Sequence, residues 1–124
     1  MKVMESAENY LETILMLKAA KGNVRSIDVA NELGYSKPSV SVAMKRLREK
    51  GQIVVEESGN IELTDAGRAI AEKIYERHTL LTTLLEEIGV SPEVAEEDAC
   101  RVEHYISDET FARIKEHVKE EHNI

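Results

Sequence analysis

Two short helical stretches joined by a glycine turn, with a pair of β-prone runs directly after them, constrain this chain more than any other feature. The first stretch opens at Ser26, a residue able to cap a helix, and stops at Gly34. The second is capped by Ser36 and carries Pro38 in its first turn, where a missing N–H costs nothing. Val40, Met44 and Leu47 recur at helical spacing as its inward stripe, which leaves Lys37, Ser39, Ser41, Val42, Lys45, Arg46 and Arg48 for the outer faces. Gln52 to Glu57 and Asn60 to Leu63 then flank Ser58-Gly59, the pattern of a hairpin. Upstream, Ala7, Tyr10, Leu11, Ile14, Leu15 and Leu17 predict a first helix from about Ser6 to Ala20. Helix, helix-turn-helix and hairpin in that order predict a winged helix.

A DNA-binding role looks at odds with a formal net charge of −8, but the charge is unevenly distributed. Residues 1–70 carry 10 Lys/Arg and 10 Asp/Glu, whereas residues 71–124 carry 6 and 14. Between Ser36 and Lys50, five basic residues face Glu49 alone, a local charge of +4 that suits a phosphate backbone. The small, hydroxyl-rich start of the second helix lets its backbone approach a groove. A basic helix face can simply be solvated, and it is the hairpin that tips the reading toward DNA. Glu56 and Glu57 leave the wing with little electrostatic share in it.

The rest of the chain is predicted to be helical as well. Aromatic residues make up 4% of the sequence and Trp is absent, which points to a core of Leu, Ile, Val and Ala. Thr64-Asp65 caps a helix of about 24 residues ending near Gly89, a strut leading toward a dimer interface. Ser91-Pro92-Glu93 opens the next, expected to run to about Tyr105 or Ile106, and Ser107-Asp108-Glu109 opens the last, expected to fray after Lys119. The expected architecture is mainly α: a winged helix-turn-helix domain over residues 1–70 and a helical metal-binding and dimerisation domain over residues 71–124. The single cysteine cannot form an intramolecular disulfide, and no signal peptide or long apolar run is visible, so a cytoplasmic chain without a membrane partner is expected.

Chemistry concentrates in Glu96-Glu97-Asp98-Ala99-Cys100-Arg101-Val102-Glu103-His104. On a helix, Cys100, Glu103 and His104 at i, i+3 and i+4 share a face, half of a metal site. Thiolate, carboxylate and imidazole suit a first-row divalent ion, and the lack of paired cysteines argues against a closed structural Zn²⁺ site. Further donors are available in Asn9, Glu12 and His78. Taken singly, each residue has a plainer role: Asn9, Glu12 and Glu103 read as solvated, Cys100 as a small hydrophobe, His104 as a core histidine, and His78 as a surface or core histidine.

Asp98-Ala99-Cys100-Arg101-Val102-Glu103-His104, with Ser107-Asp108-Glu109 after it, resembles the metal-binding signature of the diphtheria toxin repressor family of iron- and manganese-dependent regulators. Asn9-Tyr10-Leu11-Glu12-Thr13-Ile14 resembles that family's first helix, and Arg77-His78-Thr79-Leu80-Leu81 its strut. The resemblance implies a homodimer that binds a palindromic operator in double-stranded DNA when loaded with metal. By position it implies Asn9, Glu12, His78, Cys100, Glu103 and His104 as ligands, beside the DNA-binding set read from the residues themselves: Ser36, Lys37, Pro38, Ser39, Ser41, Val42, Lys45, Arg46 and Arg48. Glu12 and the short chain resemble the manganese-sensing branch, Cys100 the iron-sensing branch, and Asn9 matches neither. Mn²⁺ or Fe²⁺ is therefore the expected effector, with Co²⁺, Ni²⁺ or Zn²⁺ as surrogates and no small-molecule substrate.

Two competing readings can be stated. A winged-helix regulator indifferent to metal would use residues 71–124 only to dimerise. An enzyme with Cys100 as nucleophile lacks an orienting group and an oxyanion loop.

Overall fold

The computed structural model describes residues 7–122, with side chains through residue 120. The predicted helix start at Ser6 and the last two residues of the predicted frayed tail lie outside the described residues. The first compact unit extends to Lys73 and the second begins at Ile74.

In the first unit α1 spans Ala7–Lys21, α2 Ser26–Leu33 and α3 Lys37–Glu49. Strands β1 (Ile53–Val55) and β2 (Ile61–Leu63) form an antiparallel hairpin that pairs Ile53 with Leu63 and Val55 with Ile61. Its core joins Tyr10, Leu11 and Ile14 of α1, Val29 of α2, Val40, Met44 and Leu47 of α3, and Ile53 and Ile61 of the hairpin. Full burial of a Leu or Ile contributes roughly 1.5–3 kcal/mol, so Leu11, Ile14, Ile53 and Ile61 carry much of this packing.

The turn into α3 follows the predicted chemistry. Gly34 adopts a left-handed φ of 71°, and its N–H donates to the Ala30 carbonyl at 2.9 Å. Ser36 caps α3 by accepting the Ser39 N–H at 3.3 Å. The start of α2 differs from expectation: Ser26 is its first residue, and the capping position belongs to Arg25. The cause is Asp28, whose carboxylate accepts the Arg25 N–H at 2.8 Å and pairs with Lys21 at 2.7 Å. The Lys21 ammonium, then that N–H, hold the Asp28 carboxyl below its usual range.

Asn60 ties the hairpin to its surroundings. Its side-chain oxygen accepts the Val24 N–H at 3.0 Å and the Lys18 ammonium at 3.1 Å, while its amide donates to Glu56 and Glu62 at 2.8 Å each. Lys18 also pairs with Glu62 at 2.5 Å, and Val24 accepts the Ile61 N–H at 2.7 Å. At the base of the hairpin Thr64 donates to the Gly51 carbonyl at 2.7 Å and accepts the Gly67 N–H at 3.1 Å. This caps α4 (Asp65–Glu87) as predicted. At Gly67 a Cβ would meet the Gln52 carbonyl oxygen at 2.0 Å, so only glycine permits this approach of α4 to the hairpin.

The second unit contains the rest of α4, α5 (Pro92–Val102) and α6 (Asp108–His122). Ile74, Leu81, Ala95, Ala99, Phe111 and Val118 are its buried apolar residues. Ser91 holds the capping position of α5 without a side-chain cap bond, whereas Ser107 caps α6 by accepting the Thr110 N–H at 3.0 Å. Two predicted boundaries move. α5 stops at Val102, short of Tyr105, and α6 continues past Lys119 to His122.

Candidate metal centre and DNA-binding face

Glu103 is fully buried, and a carboxylate so placed must have compensating partners. His78 Nδ1 lies 3.0 Å from Glu103 Oε2, and His104 Nε2 lies 3.4 Å from Oε1, so an imidazole nitrogen faces each oxygen. The position of this carboxylate is set by the residue before His78. Arg77, itself 5% exposed, donates through Nη1 to the carbonyls of Glu103 at 3.2 Å and Ile106 at 2.9 Å. Its Nη2 pairs with the Asp108 carboxylate, and its guanidinium sits 5.2 Å from the centre of the Phe111 ring. Adjacent residues of α4 thus hold the backbone and the side chain of Glu103 respectively. Thr82 donates to the His78 carbonyl at 2.7 Å, one turn further along α4.

The expected single face of Cys100, Glu103 and His104 on one helix is not what forms. Glu103 keeps helical geometry at the end of α5, with its N–H bonded to Ala99 at 2.9 Å, but His104 lies in the following turn. Beyond Val102 the chain turns, and Arg77 supplies donors to the Glu103 and Ile106 carbonyls of that turn. His104 therefore meets Glu103 through the turn, and Cys100 stands half-buried on α5, one turn before Glu103. In the first unit Asn9 and Glu12 are 3% and 4% exposed, and with the full burial of Glu103 this overturns the solvated reading of all three. The residue that sequence reasoning missed is Arg77. It recurs with Ile74 and Leu81 at i, i+3 and i+7, so a cation on the apolar stripe was the available signal.

Carboxylate and imidazole donors fit a divalent first-row ion, and the full burial of Glu103 adds a physical demand for positive charge beside it. The donor set therefore fits the implied metal.

On α3 the residues Ser36, Lys37, Pro38, Ser39, Ser41, Val42, Lys45, Arg46 and Arg48 are all exposed, while Val40, Met44 and Leu47 are buried. A groove of about 210 Å³ runs between α3 and the hairpin, lined among others by Ser26, Ser41, Lys45, Arg48 and Val55. Arg25, absent from the predicted set, packs along Gly59 at the hairpin turn, its Nε 3.5 Å from where a Cβ would stand. The outer surface of α3 is basic and hydroxyl-bearing, with few acids to oppose a polyanion.

A winged helix with a basic recognition helix, joined to a helical unit that buries a carboxylate between imidazoles, defines a DNA-binding regulator with a metal-type donor cluster. Comparison with known proteins agrees in both halves: residues 2–60 match the family described as iron dependent repressor, N-terminal DNA binding domain. Residues 64–122 match iron dependent repressor, metal binding and dimerisation domain. The chain belongs to the iron-dependent repressor family, whose members are transcriptional regulators and not enzymes. It is 38% identical to the transcriptional regulator MntR of Escherichia coli O6:H1 over 107 residues, covering 86% of this chain and 69% of that protein. An uncharacterised HTH-type transcriptional regulator of Methanocaldococcus jannaschii is 34% identical, with 90% of each chain covered. A solved manganese-dependent transcriptional repressor in complex with manganese superposes with a TM-score of 0.85 at 30% identity. That match covers 92% of this chain and 53% of the solved one, so the chain spans about half the length of that structure.

Proposed function

We propose that this chain is a cytoplasmic, metal-responsive repressor that binds a palindromic operator as a homodimer and controls metal-ion homeostasis, with Mn²⁺ as the favoured effector and Fe²⁺ as the alternative. The observation that carries the reading is the Glu103 carboxylate, fully buried with His78 and His104 against its two oxygens. Manganese is favoured because the solved repressor that this chain resembles is manganese-dependent by title. We assign His78, Glu103 and His104 as the ligands in the second unit, with Cys100 beside them. We further assign ligand roles to Asn9 and Glu12, supported by their burial on α1 and by their i, i+3 spacing.

When bound, the ion would add positive charge beside the buried Glu103 carboxylate. The chain's own residues do the remainder. Arg77 fixes the Glu103 backbone so that the carboxylate need not be ordered at the moment of binding. Lys37, Lys45, Arg46 and Arg48 face the phosphates, and the small side chains of Ser39 and Ser41 let α3 approach the base edges. Metal and DNA are then linked reciprocally, with a coupling of about 1–3 kcal/mol ordinary for such an effector.

Loss of the free-Mn²⁺ signal in electron paramagnetic resonance measures binding directly. Wild type is expected to remove that signal stoichiometrically, and Glu103→Ala and His78→Ala to leave most of it. Equal binding by wild type and Glu103→Ala would refute the assignment.

A further inference from the structure

The outward face of α3 carries one exposed apolar side chain among polar and basic ones. At about 100° per residue, Val42 stands two residues from both Val40 and Met44, hence about 200° round the helix from each. Those two residues point into the core, and Val42 is 52% exposed. Its neighbours on the outer face are of another kind: Ser39, Ser41, Lys45 and Arg46, all exposed. A β-branched residue gains nothing there in helix propensity and leaves apolar surface in water. Its restricted χ1 does give it a fixed shape on the face of the helix opposite the buried stripe.

A basic, hydroxyl-bearing surface with one rigid apolar projection fits a major groove that offers one apolar feature among its donors and acceptors. In B-DNA that feature is the C5-methyl group of thymine. Lys45 and Arg46 flank Val42 at i+3 and i+4, so charge complementarity with the phosphates on either side holds this face toward the groove floor. We infer that Val42 is a specificity-determining residue that packs against a thymine methyl in each half-site and selects thymine over cytosine or a demethylated pyrimidine there. The inference rests on the reading of α3 as the DNA-binding helix.

Uracil differs from thymine only by that methyl group, which makes the test direct. Mn²⁺-loaded protein is used to select duplexes from a randomised pool, and a selected duplex is resynthesised with each thymine replaced in turn by uracil. Anisotropy titrations of wild type should show one symmetry-related thymine whose replacement weakens binding about fourfold per methyl, the transfer free energy of one such group. Val42→Ser should bind the thymine and uracil versions of that duplex alike. Lys45→Ala should weaken both versions by the same factor and so keep the wild-type ratio. If wild type discriminates at no thymine, or if Val42→Ser retains the discrimination, the inference is overturned although α3 still binds DNA. If wild type selects no duplex at all, the DNA-binding reading itself falls.

Discussion

The Arg77 guanidinium donates to the backbone carbonyl of Glu103 across 3.2 Å, joining a cation in the middle of α4 to the residue that ends α5. The same group serves Ile106 and Asp108, so one buried side chain organises the whole turn that carries Glu103 and His104. Arg77→Ala would strip two carbonyls of their donor, at about 1–3 kcal/mol for each acceptor left buried and unsatisfied. Asp108 is 79% exposed, so Asp108→Asn is expected to cost under about 1 kcal/mol. Urea unfolding of both variants checks the ranking; equal losses would contradict it.

Gly67 reverses an ordinary rule. In a helix interior Gly→Ala stabilises by about 1 kcal/mol. Here the added Cβ would stand 2.0 Å from the Gln52 carbonyl oxygen, so Gly67→Ala is expected to destabilise by roughly 1–3 kcal/mol as α4 is pushed off the hairpin. A raised melting temperature for this variant would show that the approach is looser than described.

How much of this was legible in the sequence depends on whether the controlling contact was local. Gly34, Ser36 and Pro38 act on their own neighbours, and the turn and the start of α3 were read from them. The long α4 followed from its cap and its apolar repeat. Asn9 and Glu12 were misread because hydrophobic periodicity scores a buried polar residue as an outward one, and α1 buries six consecutive residues from Asn9 to Ile14. The end of α5 was misplaced: the helix stops at Val102, and the turn after it is held through the Glu103 and Ile106 carbonyls by Arg77, a contact 26 and 29 positions away in sequence that periodicity does not show. Ser26 lost its predicted capping role to a carboxylate two residues later.

Glu62 links stability to acidity. The Lys18 ammonium first, and the Asn60 amide second, hold its carboxyl below the usual range. A depressed carboxyl contributes stability above its unfolded pKa, about 4.3, and loses that contribution as pH falls through the folded value. The Glu62 side chain is 42% exposed, so the contribution near neutral pH is only about 0.2–1 kcal/mol. Melting temperatures from pH 7 down to pH 3 should therefore fall less steeply for Glu62→Gln than for wild type. Parallel curves would remove this ion pair from the account.

Metal should stabilise the fold in proportion to its occupancy. With free Mn²⁺ at about 100 times its dissociation constant, the gain is about 2.7 kcal/mol, reversed by chelator. His104→Ala should lose most of this gain, while Val42→Ser, far along the sequence on α3, should keep it. Differential scanning fluorimetry with and without chelator resolves the two.

The central claim is that metal held around Glu103 controls DNA binding by α3. The direct measurement is anisotropy of a selected duplex with wild type and Glu103→Ala, first in chelator and then with Mn²⁺ or anaerobic Fe²⁺. The account predicts weak binding in chelator, about 5-fold to 150-fold tighter binding by wild type on adding metal, and little response from Glu103→Ala. Equally tight binding by wild type with and without metal would contradict it, leaving the Glu103 cluster structural.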